Sequence, residues 1–249
     1  MSKRDGLYAS YVTWRSWEDA PDAPDGSFET EVARTGIEPP ARVLEIGFGQ
    51  GQFLCWARKR GYTVTGVDLI PELVYRASDQ GFTVYCGRAE DIPELRGQKF
   101  DLIAAFDVFE HLTCDELLVL LGFLQKILRP SGRILARFPN GGSPFSLPYQ
   151  HGDATHQTAL GAAAMTQTAI AAGLKVLWVG NAARPMNSGK HHWIAKRLAY
   201  LARDAIEVFI GRLYFQGRVP LDPNLTAVIG GDERRVAASA PKETELVGQ

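Results

Sequence analysis

The sequence has few cysteines, no long apolar run and no excess of charge of either sign. Cys55, Cys86 and Cys114 are far apart and form no Cys-x-x-Cys pair, so neither a disulfide framework nor a zinc site is indicated. Every apolar stretch is shorter than the roughly eighteen residues that a membrane-spanning helix needs, and the N-terminus has no apolar core of the signal-peptide type. The formal net charge of −1 gives no attraction for nucleic acid. These absences predict a cytoplasmic protein with no nucleic-acid partner.

A repeating order of short strands and helices begins at residue 41 and favours an α/β protein. The 249 residues, of which 45% are hydrophobic, suit one domain with additions. Strands are predicted at 41–46, 63–67, 83–85, 101–105, 132–138, 174–179 and 225–229, and helices at 52–60, 72–80, 115–128 and 162–172. This alternation predicts a doubly wound, mostly parallel sheet that is covered by helices on both faces.

The most informative segment follows the first predicted strand, where three glycines stand at alternate positions. Gly47, Gly49 and Gly51 allow a sharp turn and a close approach of a ligand to the main chain, and Glu45 stands two residues before the first of them. A loop of this kind between a strand and a helix can offer backbone N–H groups to a ligand. A dinucleotide fingerprint would need a third glycine where Gln52 stands, so the spacing does not fit that ligand. Taken alone, these glycines are also compatible with a glycine-rich turn in an unrelated α/β protein.

The pattern Glu-x-Gly-x-Gly-x-Gly resembles motif I of the class I S-adenosyl-L-methionine (SAM) methyltransferases. Further sequence motifs of that family follow in the same order. They are Gly-Val-Asp ending at Asp68, an Ala-Glu-Asp sequence at 89–91, a fourth strand ending at Asp107, and Leu-Arg-Pro-Ser-Gly from Leu128. The resemblance covers about residues 41–140. It implies a seven-stranded Rossmann-like sheet with an antiparallel final strand and a helical insertion before it. It also implies SAM as the cofactor and S-adenosylhomocysteine as the product.

The same resemblance assigns the positions that bind the cofactor. Asp68 is expected to accept hydrogen bonds from both ribose hydroxyls, although an Asp just past a strand can also cap the next helix. Adenine is expected near Ala89, but Arg88 stands where the family often has Asp, which leaves the side-chain contact open. The expected cofactor-binding residues are Glu45, Gly47, Phe48, Gly49, Gly51, Asp68, Leu69, Ala89, Glu90, Asp91 and Asp107.

Three histidines near the expected mouth of the site could take the proton that an acceptor hydroxyl loses during methyl transfer. His111 lies in a Glu-His-Leu sequence that resembles the ubiquinone-biosynthesis type of O-methyltransferase, and it is the first candidate for the base, with a structural role as the alternative. His151 and His156 are the other candidates, with loop histidines bonded to the backbone as the alternative. Asp107 could bind the SAM amine or the acceptor. The carboxylates and Asn with which catechol-type methyltransferases hold a metal have no counterpart here, so no metal is expected.

The loop after residue 139 indicates the class of acceptor. Its Ser-Pro-Phe and Gly-Asp-Ala-Thr-His sequences resemble those of bacterial methyltransferases associated with surface-polysaccharide assembly. A sugar, glycan or glycan precursor is therefore the expected acceptor, under the polar side chains Asn140, Ser143, Tyr149, His151, Asp153 and His156. A structural loop in which Asp153 and Thr155 only cap the next helix is the alternative. The competing hypotheses are a quinone or lipid precursor as acceptor, and a non-catalytic docking module with the SAM fold.

The rest of the chain is expected to form additions to a SAM-binding domain at 41–188. Residues 1–40 are expected to form a lid, 218–230 to contain the closing strand, and 231–249 to be a disordered tail. The segment 189–217 predicts a helix that is basic at its start and apolar along one stripe. That stripe could contact a membrane surface, or pack on the domain or on a second copy of the chain. Peripheral contact with the inner membrane surface therefore stays open for a cytoplasmic protein.

Overall fold

The computed structural model describes residues 25–184 and 190–231, with only the backbone described at 25–26 and 190–192. A seven-stranded sheet forms its centre. The strands are β1 (Arg42–Ile46), β2 (Thr63–Asp68), β3 (Thr83–Cys86), β4 (Phe100–Phe106), β5 (Leu128–Pro139), β6 (Leu174–Asn181) and β7 (Asn224–Gly231). They lie in the order β3-β2-β1-β4-β5-β7-β6, and β7 is antiparallel to both β5 and β6. The predicted fold class, a mostly parallel α/β sheet with an antiparallel final strand, is confirmed.

Helices cover both faces of this sheet. They are α1 (Asp25–Ala33), α2 (Gln52–Lys59), α3 (Pro71–Asp79), α4 (Cys114–Ile127), α5 (Leu147–His151), α6 (Ala162–Ala171) and α7 (Lys190–Tyr214). Successive strand residues point to opposite faces, so Val43 joins the core with α1 and α2, whereas Leu44 joins the core with α4 and α6. The carboxyl ends of β1, β2 and β4 meet at one edge, which is where ligands of such sheets bind.

The fifth strand begins earlier than the sequence predicts. The Leu-Arg-Pro-Ser-Gly segment precedes the strand predicted at 132–138, but β5 begins at Leu128. Leu128 pairs with Phe100 of β4 before the register shifts, and its side chain is buried. Burial of this leucine beside β4 therefore extends the strand, and α4 ends one residue earlier than predicted.

Helix α4 begins with a capping box. Thr113 Oγ1 accepts a hydrogen bond from the main-chain N–H of Glu116 at 3.2 Å, and the Glu116 carboxylate accepts one from the main-chain N–H of Thr113 at 2.9 Å. We expect Thr113→Ala to lower the free energy of unfolding by about 1 kcal/mol, because an N-terminal donor of the helix loses its partner. Urea denaturation measures this change, and an unaltered midpoint would show that the box adds nothing to stability.

The described part of the predicted lid is a core element. Phe28 of α1 is buried against α2, and its ring centroid lies 5.3 Å from that of Phe53. Glu31 is also buried and accepts a hydrogen bond from a threonine hydroxyl of β7 at 2.9 Å. Helix α1 is thus fastened to the sheet and is not a lid. The rest of the predicted lid, residues 1–24, lies outside the described residues.

Helix α7 is inserted between β6 and β7, in the place of the helix predicted at 189–217. Its apolar stripe does not pack on the domain, because Ile194, Leu198 and Phe209 are 61–65% exposed. Packing of the stripe on the domain, one of the predicted alternatives, is therefore wrong. Within the two described stretches, no helix is both long and apolar enough to cross a membrane. The predicted disordered tail lies outside the described residues apart from Gly231, the last residue of β7.

Candidate active site

The bend between β1 and α2 depends on glycine conformations. Gly47, Gly49 and Gly51 have φ values of 65°, 53° and 73°, in the left-handed region that favours glycine. A side chain at Gly47 would also meet the segment after β4, because a Cβ built there lies 2.7 Å from Cγ2 of Val108. The ends of β1 and β4 therefore belong to one site.

The N–H groups of these glycines donate to acceptors inside the protein. They are therefore not offered to a ligand, which differs from the sequence-based expectation. Gly47 donates to the Val67 carbonyl at 2.7 Å, and Gly51 donates to the Phe48 carbonyl at 2.8 Å. The side chain of Phe48 is buried in a cluster with α3, so only its main chain is left for a ligand. The glycines thus provide the shape of the bend and a close approach to its backbone.

Asp68 joins the ends of β1 and β2. Its Oδ2 accepts a hydrogen bond from the Gly49 N–H, and its Oδ1 accepts one from the Ile70 N–H, both at 2.9 Å. Burial raises the pKa of Asp68, and the main-chain hydrogen bonds offset part of that rise. An ionised carboxylate has about four acceptor positions, so about two are left for the hydroxyls of a ligand. Leu69 beside it is exposed.

The turn after β3 contains the residues that were expected near adenine. Ala89 is buried, Glu90 is half-buried and Asp91 is exposed, within one turn of 3₁₀ helix. Arg88, which departs from the family pattern, donates a hydrogen bond to the Glu116 carboxylate of α4 at 2.5 Å. The same guanidinium lies 3.7 Å from the Glu90 carboxylate. Arg88 therefore compensates acidic charge, and the Ala89 side chain belongs to the core beneath this edge.

Asp107, just past β4, forms a bidentate ion pair that the sequence did not predict. Its φ is 57°, which is uncommon outside glycine. Arg137 of β5 donates from Nε to Asp107 Oδ1 at 3.0 Å and from Nη2 to Oδ2. Burial would lower the pKa of Arg137, but the carboxylates of Asp107 first, and of Glu31 and Glu110 after it, more than offset this and raise it. Asp107 is still 40% exposed, so it can also contact a ligand. Arg137, which interrupts the apolar residues 134–138 of β5, was the sequence signal for this partner.

A buried polar cluster joins the turn after β4 to the loop before α6. His111 Nδ1 lies 2.8 Å from Thr155 Oγ1, and Thr155 Oγ1 donates to Asp153 Oδ1 at 2.5 Å. His156 Nδ1 lies 3.0 Å from the carbonyl oxygen of Gln150. The ring centroids of His111 and His156 are 4.6 Å apart. Two of the three predicted base candidates are thus brought together.

These partners determine which nitrogen of each neutral imidazole carries the proton. The Gln150 carbonyl can only accept, so Nδ1 of His156 is the donor. Thr155 gives its proton to Asp153 and therefore accepts from Nδ1 of His111. In both rings Nε2 is then the nitrogen that can take up a proton. Burial would raise the pKa of Asp153, but the hydrogen bonds from Thr155, together with the nearby His111 and His156, outweigh it and lower the pKa. Asp153 and Thr155 thus orient His111. The alternative, in which they only cap the next helix, is wrong, because the N-cap of α6 is Gly161.

Glu110 is the member of this cluster that sequence reasoning missed. It is 1% exposed, its Oε1 lies 3.9 Å from His156 Nε2, and among the described residues its Oε2 has no hydrogen-bond partner. Burial, followed by the charge of Asp107, raises the pKa of Glu110 well above its ordinary value. Ligand atoms of Glu110, His111 and His156 lie within 4.8 Å of one another, a spacing at which they could hold a metal ion. Independence of a metal therefore stays a prediction for experiment.

The loop between β5 and α6 is held mainly by structural hydrogen bonds. Asn140 Nδ2 donates to the Pro220 carbonyl at 2.9 Å, and Ser143 Oγ donates to the Leu221 carbonyl at 2.6 Å. Both side chains are buried, so they fasten the loop to the segment before β7. Tyr149 and His151 are exposed on α5, and His151 lies outside the histidine cluster.

Comparisons with known proteins agree with this geometry. Residues 44–136 match the family model described as a methyltransferase domain. An uncharacterized methyltransferase of Synechocystis is 31% identical over 98 residues, which are 39% of this chain and 46% of that protein. A SAM-dependent methyltransferase from Archaeoglobus fulgidus superposes with a TM-score of 0.63 at 18% identity, over 90% of this chain and 99% of that one. The fold is that of the class I SAM-dependent methyltransferases.

A second structure with this methyltransferase fold is similar to the chain and contains the reaction product. The 1,6-didemethyltoxoflavin-N1-methyltransferase of Burkholderia thailandensis, with bound S-adenosylhomocysteine, has a TM-score of 0.58 at 19% identity, over 92% of this chain and 87% of that one. The chain spans less than half of the length of the curated relatives it matches. The matched residues contain the glycine bend, Asp68 and the end of β4, whereas the loop before α6 and helix α7 lie outside them.

The residues at these strand ends fit SAM, the cofactor that the methyltransferase fold implies and the comparisons support. Oε2 of Glu45 is buried at the foot of the glycine bend with no hydrogen-bond partner among the described residues. Burial first, and the charge of Asp68 second, raise the pKa of Glu45 well above its ordinary value. A buried carboxyl beside Asp68 suits a ligand that has both hydroxyl groups and positive charge, as SAM does.

Proposed function

We propose that the protein is a SAM-dependent methyltransferase that methylates a hydroxyl group of a small molecule or glycan, with His111 as the proton acceptor. The observation that carries this proposal is the hydrogen-bond chain from Asp153 through Thr155 to His111. The chain fixes the tautomer of an imidazole that follows β4 by five residues and Asp107 by four. Such a fixed imidazole is the arrangement that general-base catalysis uses.

The side chains of this protein would bind, orient and accept a proton, and the cofactor would provide the reactive group. When bound, SAM supplies a methyl group that is electrophilic because it is attached to a sulfonium. Asp68 would accept hydrogen bonds from the ribose hydroxyls, and Asp107 would accept one from the amine of the methionine part. The acceptor hydroxyl would give its proton to Nε2 of His111, while Thr155 and Asp153 stabilise the imidazolium. Holding the acceptor oxygen close and in line provides most of the acceleration.

Two classes of acceptor have support. A sugar, glycan or glycan precursor of surface polysaccharide is supported by the Ser-Pro-Phe and Gly-Asp-Ala-Thr-His sequences and by the exposed Tyr149 and His151 in the same loop. A quinone or lipid precursor is the second candidate, and the exposed apolar stripe of α7 favours it because such acceptors reside in membranes.

Release of S-adenosylhomocysteine with a panel of acceptors tests the proposal. The panel contains nucleotide sugars, lipid-linked glycans and polyprenyl phenols, and mass spectrometry locates the methyl group. We expect turnover with a hydroxylated acceptor and a methyl group on oxygen. A methyl group on nitrogen or carbon would contradict the hydroxyl assignment. SAM binding without turnover on any acceptor would instead favour a non-catalytic docking module.

A chelator decides between a base and a metal ion in the histidine cluster. We expect EDTA to leave turnover unchanged, because in the proposed mechanism His111 itself accepts the proton and no metal ion takes part. A loss that Zn²⁺ restores would assign Glu110, His111 and His156 to a metal site instead.

Thr155 is a positioning residue whose hydroxyl can be removed with little change of shape. We expect Thr155→Val to lower kcat by about tenfold to a hundredfold, because His111 loses the acceptor that fixes its tautomer. The Kd for SAM should not change, and Thr155→Ser should restore kcat. Thr158→Val is the matched control, because it removes a hydroxyl of the same loop that donates to the Leu112 carbonyl at 2.6 Å. Equal losses in both valine variants would make Thr155 a structural residue only.

A further inference from the structure

Helix α7 is attached to the domain by its polar side. Asp204 accepts a hydrogen bond from Arg184 Nη1 at 2.8 Å. Glu207 is buried and accepts hydrogen bonds from Asn181 Nδ2 at 2.6 Å and from the Leu221 N–H at 3.0 Å. A surface helix of a globular protein normally turns its apolar stripe inward and its charges outward. The orientation of α7 is the reverse.

The outward side of α7 is a continuous apolar stripe. Its large members are 58–65% exposed: Ile194, Leu198, Leu201, Phe209 and Leu213. With the exposed Ala205 between Leu201 and Phe209, the stripe recurs at three- and four-residue steps. Aromatic residues stand at both ends of the stripe, with Trp193 at the start and Tyr214 and Phe215 at the end, all of them exposed. An exposed stripe of this size marks an interaction surface.

The charges around this stripe identify what covers it. Arg197, Arg203 and Arg212 are exposed on the helix, whereas its only two acidic residues, Asp204 and Glu207, take part in the hydrogen bonds to the domain. A second copy packed stripe to stripe would bring arginines together, whereas both helix carboxylates are already engaged, Asp204 by Arg184 and Glu207 by Asn181 and the Leu221 N–H. The phosphates of an anionic bilayer provide that compensation, and the apolar side chains can enter the boundary between headgroups and acyl chains.

We infer that α7 is an interfacial helix that docks the protein on an anionic membrane surface. The 25 residues of the helix span about 37 Å, which is long enough for the stripe to lie flat along the headgroup layer. Attachment by the polar side leaves the whole stripe available without any rearrangement of the domain.

Docking by α7 would also orient the loop that was assigned to the acceptor. The segment after α7 accepts hydrogen bonds from that loop, at the Pro220 carbonyl from Asn140 and at the Leu221 carbonyl from Ser143. Arg184, which binds Asp204 of the helix, also forms an ion pair with Asp222. Helix and loop are therefore one hydrogen-bonded unit. This part of the inference rests on the proposed function and favours an acceptor attached to a lipid.

Flotation of the full-length protein with vesicles tests the docking without SAM or turnover. We expect binding to vesicles of phosphatidylcholine mixed with phosphatidylglycerol, about tenfold weaker binding to phosphatidylcholine alone, and a decrease with added salt. Leu198→Asp with Phe209→Asp should abolish binding. Val119→Asp with Ile170→Asp is the matched control, because these apolar residues are equally exposed on α4 and α6, and it should bind as the unaltered chain does.

Each other outcome overturns the inference. Failure of the unaltered chain to bind the mixed vesicles would do so, as would equal binding by the two double variants. Sedimentation of the unaltered chain as a dimer that Leu198→Asp with Phe209→Asp converts to a monomer, without vesicle binding, would assign the stripe to a second copy. All four substitutions are at exposed positions, and a thermal melt of each variant checks that it is folded. A catalytically inactive protein that still binds the vesicles would contradict the proposed function alone.

Discussion

Asp68→Asn is expected to weaken SAM binding by roughly a hundredfold, or about 3 kcal/mol. The reason is that the two ribose hydroxyls lose the charged carboxylate to which they donate hydrogen bonds. The carboxylate accepts from two main-chain N–H groups, at Gly49 and Ile70, and its other acceptor positions are assigned to the ribose. Whichever way the asparagine amide is turned, its NH₂ group faces one of these N–H donors. Titration calorimetry with SAM and with S-adenosylhomocysteine measures the loss.

The matched control for this substitution is Asp79→Asn. Asp79 is exposed at the end of α3, and its change should leave the affinity for SAM unaltered. Circular dichroism and a thermal melt establish that Asp68→Asn is folded at the temperature of the titration. A folded Asp68→Asn protein with the affinity of the unaltered chain would remove Asp68 from the cofactor site.

His111→Gln is expected to lower kcat by about 10²–10⁴-fold, the usual contribution of a general base. Glutamine can still donate a hydrogen bond to Thr155, but it has no nitrogen that takes up a proton. The affinity for SAM should stay the same, because the side chain is assigned to the acceptor proton and not to the cofactor. Single-turnover measurement with the acceptor found in the panel separates the chemical step from product release.

The exposed His151 provides the control for this experiment. His151→Gln makes the same chemical change outside the cluster, so kcat should stay close to that of the unaltered chain. If His151→Gln were the more damaging change, the base would belong to the exposed loop. If neither change affected kcat, positioning of the acceptor alone would account for catalysis.

The sequence predicted where the site lies better than how its residues bond. The spacing of Gly47, Gly49 and Gly51 and the place of Asp68 follow from local backbone geometry, because a short turn after a strand needs left-handed residues. The partners of these groups depend on tertiary contacts that the sequence does not contain. Pairing of Arg137 with Asp107, for example, follows from the β4–β5 register, which sets Arg137 beside Phe106.

The histidine cluster and the orientation of α7 show the same limit. His111 and His156 meet because the loop before α6 folds back on the turn after β4, where Gln157 and Thr158 donate to the Glu110 carbonyl. Helical periodicity reveals the apolar stripe of α7 but not the side that faces the domain. That side was decided by Asp204 and Glu207, whose partners come from the end of β6 and from the segments on either side of the helix.

A crystal structure of the complex with S-adenosylhomocysteine tests the central claim most directly. The account predicts that the adenosyl group lies over the Gly47–Gly51 bend, with both ribose hydroxyls donating to Asp68 and the sulfur on the side of the site that carries Asp107 and His111. An adenosyl group bound away from this bend, or a ribose that makes no contact with Asp68, would contradict it.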